Sequence, residues 1–96
     1  MKVSFSKDAK EFLLNNKGFI AEDNPRAAKL YTEKLIHRIV DMLQFPNIGK
    51  VNLVFDDDTI REISLDGMKI IYKKYTNSVV VLMVYRNINF DESSLG

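Results

Sequence analysis

Apolar positions along this chain follow two rhythms. In the first half they recur at spacings of three and four, and in the second they alternate or run together, the periods of helix and strand. Lys2 to Phe5 predicts a short strand with Val3 and Phe5 on one face. Ser6 suits the N-cap of a first helix over about Lys7 to Asn16, with Phe12 and Leu13 as its apolar residues and Lys17-Gly18 as its stop. Asn24-Pro25 opens a second helix, because Asn caps well and Pro at the first helical position gives up no hydrogen bond. That helix is expected to run to about Gln44. Ala28, Tyr31, Leu35, Ile39 and Met42 form its stripe, interrupted by Thr32 and widened near the end by Ile36, Val40 and Leu43. Arg26, Lys29, Lys34 and His37 lie off the stripe. Phe45-Pro46-Asn47-Ile48-Gly49 then turns the chain back.

The remainder reads as strands. Val51 to Phe55 is the first, Asp56-Asp57-Asp58 a turn, and Thr59 to Leu65 the next. Asp66-Gly67 is a strong two-residue hairpin signal, since such turns need positive φ at both central positions. Met68 to Tyr75, a turn at Thr76-Asn77-Ser78 and a last strand from Val79 to Arg86 follow, before a polar tail from Asn87 to Gly96. The predicted class is α+β in the order β-α-α-β-β-β-β. A helical hairpin covers one face of a small, mostly antiparallel sheet whose last three strands form a meander, all within a single domain over residues 1–96.

Two helices cover one sheet face and leave the other open. Strict alternation puts Met68, Ile70 and Tyr72, with Val80, Leu82 and Val84, under the helices. The open face then carries Ile71, Val81, Met83 and Tyr85 beside Lys69 and Lys73, an apolar patch larger than solvent exposure alone explains. Either the tail folds over it through Ile88, Phe90 and Leu95, or a partner does; methionine suits an adaptable docking surface.

Composition narrows the function. The chain has no cysteine, which removes disulfides, thiolate nucleophiles and cysteine-ligated metals. Its first residues contain no apolar signal-peptide core, and its longest apolar run, Val79 to Tyr85, is far too short to span a bilayer. A cytoplasmic protein with no membrane partner is expected. A net charge of +1 counts against holding nucleic acid through phosphate contacts alone.

Several stretches carry a family pattern in order and spacing. They are Phe45-Pro46-Asn47-Ile48-Gly49-Lys50 after the long helix, Ile60-Arg61-Glu62-Ile63, Asp66-Gly67-Met68-Lys69-Ile70-Ile71-Tyr72-Lys73, Val80 to Val84, and Phe90-Asp91-Glu92. Over nearly its whole length the chain resembles the RelE/ParE superfamily of toxins, departing at Met68, where the superfamily usually has an aromatic residue. The resemblance implies the growth-inhibiting toxin of a bacterial type II toxin–antitoxin module. It also implies a cognate antitoxin encoded nearby, a toxin–antitoxin hetero-oligomer, and contact with DNA only through the antitoxin. The antitoxin contacts are then expected at Ile71, Lys73, Val81, Met83 and Tyr85.

The superfamily divides into toxins that cut mRNA on the ribosome and ParE-like toxins that bind DNA gyrase. Cleavage needs a base, an acid and stabilisation of the phosphorane charge. The candidates for those roles are Lys69, Arg86 and Tyr85. Positions that are basic in the ribonucleases hold Glu62 and Ser64, and Lys69 stands where they carry arginine, without the bidentate fork. The lone histidine, His37, projects off the apolar stripe and reads as a surface residue. The three consecutive aspartates lack the alternating spacing of a calcium loop, so neither metal nor cofactor is expected. Glu62 with Lys69 or Lys73 reads as a cross-strand ion pair. The pattern favours a gyrase-binding toxin. A ribosome-dependent mRNA endoribonuclease comes second, and a degenerate toxin serving only as antitoxin partner third.

Overall fold

Ser6 stands where the chain turns from strand to helix. Its hydroxyl accepts the Ala9 N–H at 3.1 Å, which caps a first helix, α1 (Lys7–Ala21), directly after the strand β1 (Lys2–Phe5). The computed structural model describes residues 1–86; the tail from Asn87, including Ile88, Phe90 and Leu95, lies outside the described residues. The helix runs through Gly18 instead of stopping at Lys17-Gly18. An interior glycine costs roughly 1 kcal/mol against alanine, a weak penalty that does not by itself end a helix. The end comes where the Asp23 and Asn24 N–H groups both donate to the Ile20 carbonyl at 3.1 Å. Asn24 then caps the second helix, α2 (Pro25–Met42), by accepting the Ala27 N–H at 3.0 Å.

Four more strands follow: β2 (Lys50–Val51), β3 (Ile60–Leu65), β4 (Met68–Lys74) and β5 (Ser78–Arg86). The sheet order is β1-β5-β4-β3-β2, with β1 parallel to β5 and the other pairs antiparallel. Asp66 and Gly67 turn the β3–β4 hairpin with φ of 53° and 74°, the left-handed geometry expected of them. The strand expected over Val51 to Phe55 is cut short. Asn52 Oδ1 accepts the Val54 N–H at 2.9 Å and Asp57 Oδ1 accepts the Thr59 N–H at 2.9 Å, so local side chains take amides that a ladder would need.

A bulge overturns the predicted faces of β5. Ile71 pairs with Met83, but the next residue, Tyr72, pairs with Val81, which leaves Leu82 as an extra residue. Alternation therefore reverses at Leu82. Val79 and Val81, expected on the open face, are fully buried in the core; Val80 and Leu82, expected beneath the helices, are half-buried and outside it. Ser6 secures the bulge, donating its N–H to the Val81 carbonyl at 2.9 Å and its hydroxyl to the Leu82 carbonyl at 2.6 Å.

The core gathers Ala9 and Leu13 from α1 and Leu35, Ile39 and Leu43 along α2 and its end. Against them lie Ile63, Leu65, Met68, Ile70, Tyr72, Val79, Val81 and Val84 of the sheet. Tyr72 is the one hydroxyl-bearing member, and its Oη is used twice. It donates to the Pro46 carbonyl at 2.7 Å and accepts the Gly49 N–H at 3.0 Å. Arg61 Nη1 donates to the Gly49 carbonyl at 2.7 Å. Together they pin the turn after α2 against the sheet. A Cβ at Gly49 would lie 2.5 Å from the Glu62 carbonyl oxygen and 2.7 Å from Tyr72 Oη, so no side chain fits there. Gly18 faces open space. Gly49→Ala is therefore expected to destabilise the fold by roughly 1–3 kcal/mol, whereas Gly18→Ala should stabilise it by about 0.5–1 kcal/mol. Urea unfolding of the two variants checks both signs.

Candidate functional site

The corrected register defines the sheet face turned away from the two helices. It holds Ile60, Glu62 and Ser64 of β3, Lys69, Ile71 and Lys73 of β4, and Val80, Met83 and Tyr85 of β5. Of the five residues expected to contact a partner, Val81 is absent from this face because the bulge turns it into the core. Ile71 is on the face, yet only 4% exposed. Met83 and Tyr85 are 37% and 40% exposed, and they, with Lys73, form the accessible part.

The cations of this face are already engaged. Lys69 Nζ lies 2.8 Å from Glu62 Oε2, the cross-strand ion pair expected of these residues, and this contact holds the Lys69 ammonium above its ordinary pKa. Lys73 Nζ donates to Asp57 Oδ2 at 3.1 Å and sits 5.6 Å from the Tyr75 ring centroid. Tyr85 is the direct cross-strand neighbour of Lys69. Arg86 is elsewhere. It pairs with Met68, a core residue, and so emerges on the helix side, where its Nη2 donates to Asn16 Oδ1 at 2.9 Å. The three candidates for RNA cleavage are thus divided between the two faces of the sheet. His37 is exposed on the outer side of α2 beside Leu30, Glu33, Lys34 and Arg38.

Asp57, the middle aspartate of the turn, has a defined structural part. The Thr59 hydroxyl and N–H both donate to it, and Lys73 donates to its other oxygen. These bonds, the Thr59 hydroxyl foremost, lower its pKa from 3.8 to about 2.

A second surface of interest lies on the helical hairpin. Between α1 and α2 runs an apolar groove of about 450 Å³, walled by Phe5, Leu13, Leu14, Thr32 and Ile36 and bordered by Lys10, Lys17, Lys29 and Glu33. Leu14 is 65% exposed there. Leu14 beside Leu13 is the sequence signal that this groove offers, with Leu14 as an exposed apolar residue on the first helix.

Comparison with known proteins agrees with this geometry. The family model described as the ParE toxin of type II toxin–antitoxin systems, parDE, matches residues 3–87. No curated protein matches the chain. Among solved structures, the chromosomal ParDE toxin–antitoxin system from P. aeruginosa is similar in fold. Its TM-score is 0.70 at 13% sequence identity, over 90% of this chain and 95% of that one.

The turn at Asp57 predicts an acid-sensitive anchor. Its folded pKa lies below the unfolded value, so the stabilisation is present above about pH 4 and is lost as pH falls through about 2. Titration of the Asp57 carboxyl by NMR should report a value near 2. Thr59→Val should raise it more than Lys73→Ala does, because the Thr59 hydroxyl is the larger cause.

Proposed function

Because this chain belongs to the ParE toxin family of type II toxin–antitoxin systems, we propose that it arrests growth by binding DNA gyrase and that a cognate antitoxin encoded nearby neutralises it. The observation that carries binding over cleavage is the fate of the basic side chains. Phosphodiester cleavage requires an acid, a base and a charge stabiliser converging on one reacting group. Lys69 is neutralised by Glu62, and Arg86 is bonded to Asn16 on the opposite side of the sheet. A toxin that acts by occupying a surface of its target needs no such convergence, and Lys69 and Arg86 then contribute to affinity alone.

The antitoxin is assigned two contact regions. One is the accessible part of the open face at Lys73, Met83 and Tyr85, over the buried Ile71. The other is the hairpin groove, whose apolar floor and lysine border suit an amphipathic helix with acidic flanks. Toxin and antitoxin form a hetero-oligomer in the cytoplasm, where gyrase also is, and DNA is reached only through the antitoxin.

Two measurements test this reading. In a supercoiling assay the toxin should inhibit gyrase, and programmed ribosomes should show no mRNA cleavage. Lys69→Ala should change gyrase inhibition in a graded, salt-sensitive way. Ribosome-dependent cleavage that disappears in Lys69→Ala, with gyrase unaffected, would overturn the reading. For the antitoxin, Met83→Asp should weaken the complex by more than about 2 kcal/mol, since it buries an unpaired charge. Titration calorimetry against the neighbouring gene product decides this, and unchanged affinity would remove the open face from the interface.

A further inference from the structure

The three most exposed large apolar side chains among the described residues lie neither on the open face nor in the hairpin groove. Phe45, Leu53 and Val54 are 71%, 92% and 86% exposed, and with Ile48 at 51% they flank the edge strand β2. They do not stand on a loose loop. On one side the turn is held by Tyr72 and Arg61 through Pro46 and Gly49. On the other, Asn52 is buried, donates its N–H to the Ile60 carbonyl at 2.9 Å and accepts the Val54 N–H at 2.9 Å. Apolar side chains presented on a frame this firmly bonded form a preorganised contact surface, with little ordering entropy left to lose on binding.

The charges around the patch indicate what occupies it. Lys50 is exposed just before Leu53 and Val54, and Asp56 and Asp58 are exposed just after them, while Asp57 is bonded to Lys73. Along the chain the segment reads basic, apolar, acidic. A two-fold axis reverses that order, so the basic end of one copy meets the acidic end of another while Leu53 and Val54 of both meet at the centre. We propose that this edge is a self-association surface and that its occupant is a second copy of this chain. A surface that complements itself about a two-fold axis closes after two copies. A two-residue β2 bearing an exposed lysine is too short to template a continuing sheet, so the contact rests on side-chain packing. The surface lies at the sheet edge, away from the Met83 and Tyr85 face of the β5–β4 pair, and is independent of the antitoxin assignment.

Sedimentation velocity of the purified chain across micromolar concentrations tests the proposal. The wild type should show a monomer–dimer equilibrium, and Leu53→Asp should be monomeric. Lys50→Glu, and separately the pair Asp56→Lys with Asp58→Lys, should each weaken the dimer by roughly tenfold or more, since like charges then face each other. Mixing these two charge-reversed chains should restore a dimer, because each new charge meets its opposite across the axis. Circular dichroism melts should match the wild type, as all the changed side chains are exposed. A monomer at every concentration, a dimer indifferent to Leu53→Asp, or a mixture that stays monomeric would overturn the proposal.

Discussion

One extra residue in the last strand sets the arrangement of the sheet. At Leu82 the pairing of β4 with β5 slips by a position, and every side chain before it in β5 changes face. A bulge frees backbone groups that the ladder would have satisfied, and buried groups of that kind need partners. Ser6 supplies them, donating its N–H to Val81 and its hydroxyl to Leu82, while the same hydroxyl caps α1. The junction between the first strand and first helix is therefore bonded to the irregularity in the last strand, 76 residues along the chain. Val79 and Val81 fill the core beside Val3 and Phe5 as a result, and Met83 and Tyr85 remain outside.

The turn after α2 depends on a second set of long-range bonds. Tyr72 is fully buried, and a buried hydroxyl without partners would cost roughly 1–3 kcal/mol. Pro46 and Gly49 provide those partners, and Arg61 closes the set on the Gly49 carbonyl. The stretches that carry the family resemblance, around Pro46-Asn47-Ile48-Gly49, Arg61 and Tyr72, thus belong largely to the scaffold. They hold the sheet edge against the end of the long helix. In this chain a glycine is required at position 49, because the backbone there passes too close to Glu62 and Tyr72 for a side chain.

The chemistry of the open face follows from pairing across strands. Glu62 and Lys69 sit diagonally on β3 and β4, close enough to neutralise one another, and Asp57 does the same for Lys73 from the preceding loop. Exposed or partly exposed pairs of this kind contribute roughly 0–1 kcal/mol each to stability. An ammonium already bonded to a carboxylate is also a poor stabiliser of a developing phosphate charge. The face offers shape and apolar area in place of free charge. The hairpin groove has the opposite character, an apolar floor beneath lysines that have no ion-pair partner among the described residues.

Much of this was legible along the chain because it depends on near neighbours. The cap at Ser6, the Asn24-Pro25 helix start, the Asp66-Gly67 turn, the stripe of the second helix and the order of elements are local properties, read from spacing and from the φ preferences of a few residues. Gly18 misled as a stop signal, since propensity only biases a helix that core packing through Ala9 and Leu13 holds in place. Val81 misled as a surface residue, since period-two alternation assumes an unbroken ladder. Arg86 was separated from Lys69 and Tyr85 by the parity of the strand, with Asn16 of a distant helix as its partner. The sequence by itself determined the order of helices and strands, most of their turns, and which family they resemble. Only the tertiary structure decided which side chains share a face, because the bulge that changes the faces of the last strand is bonded to Ser6, a partner remote in sequence and adjacent only after folding.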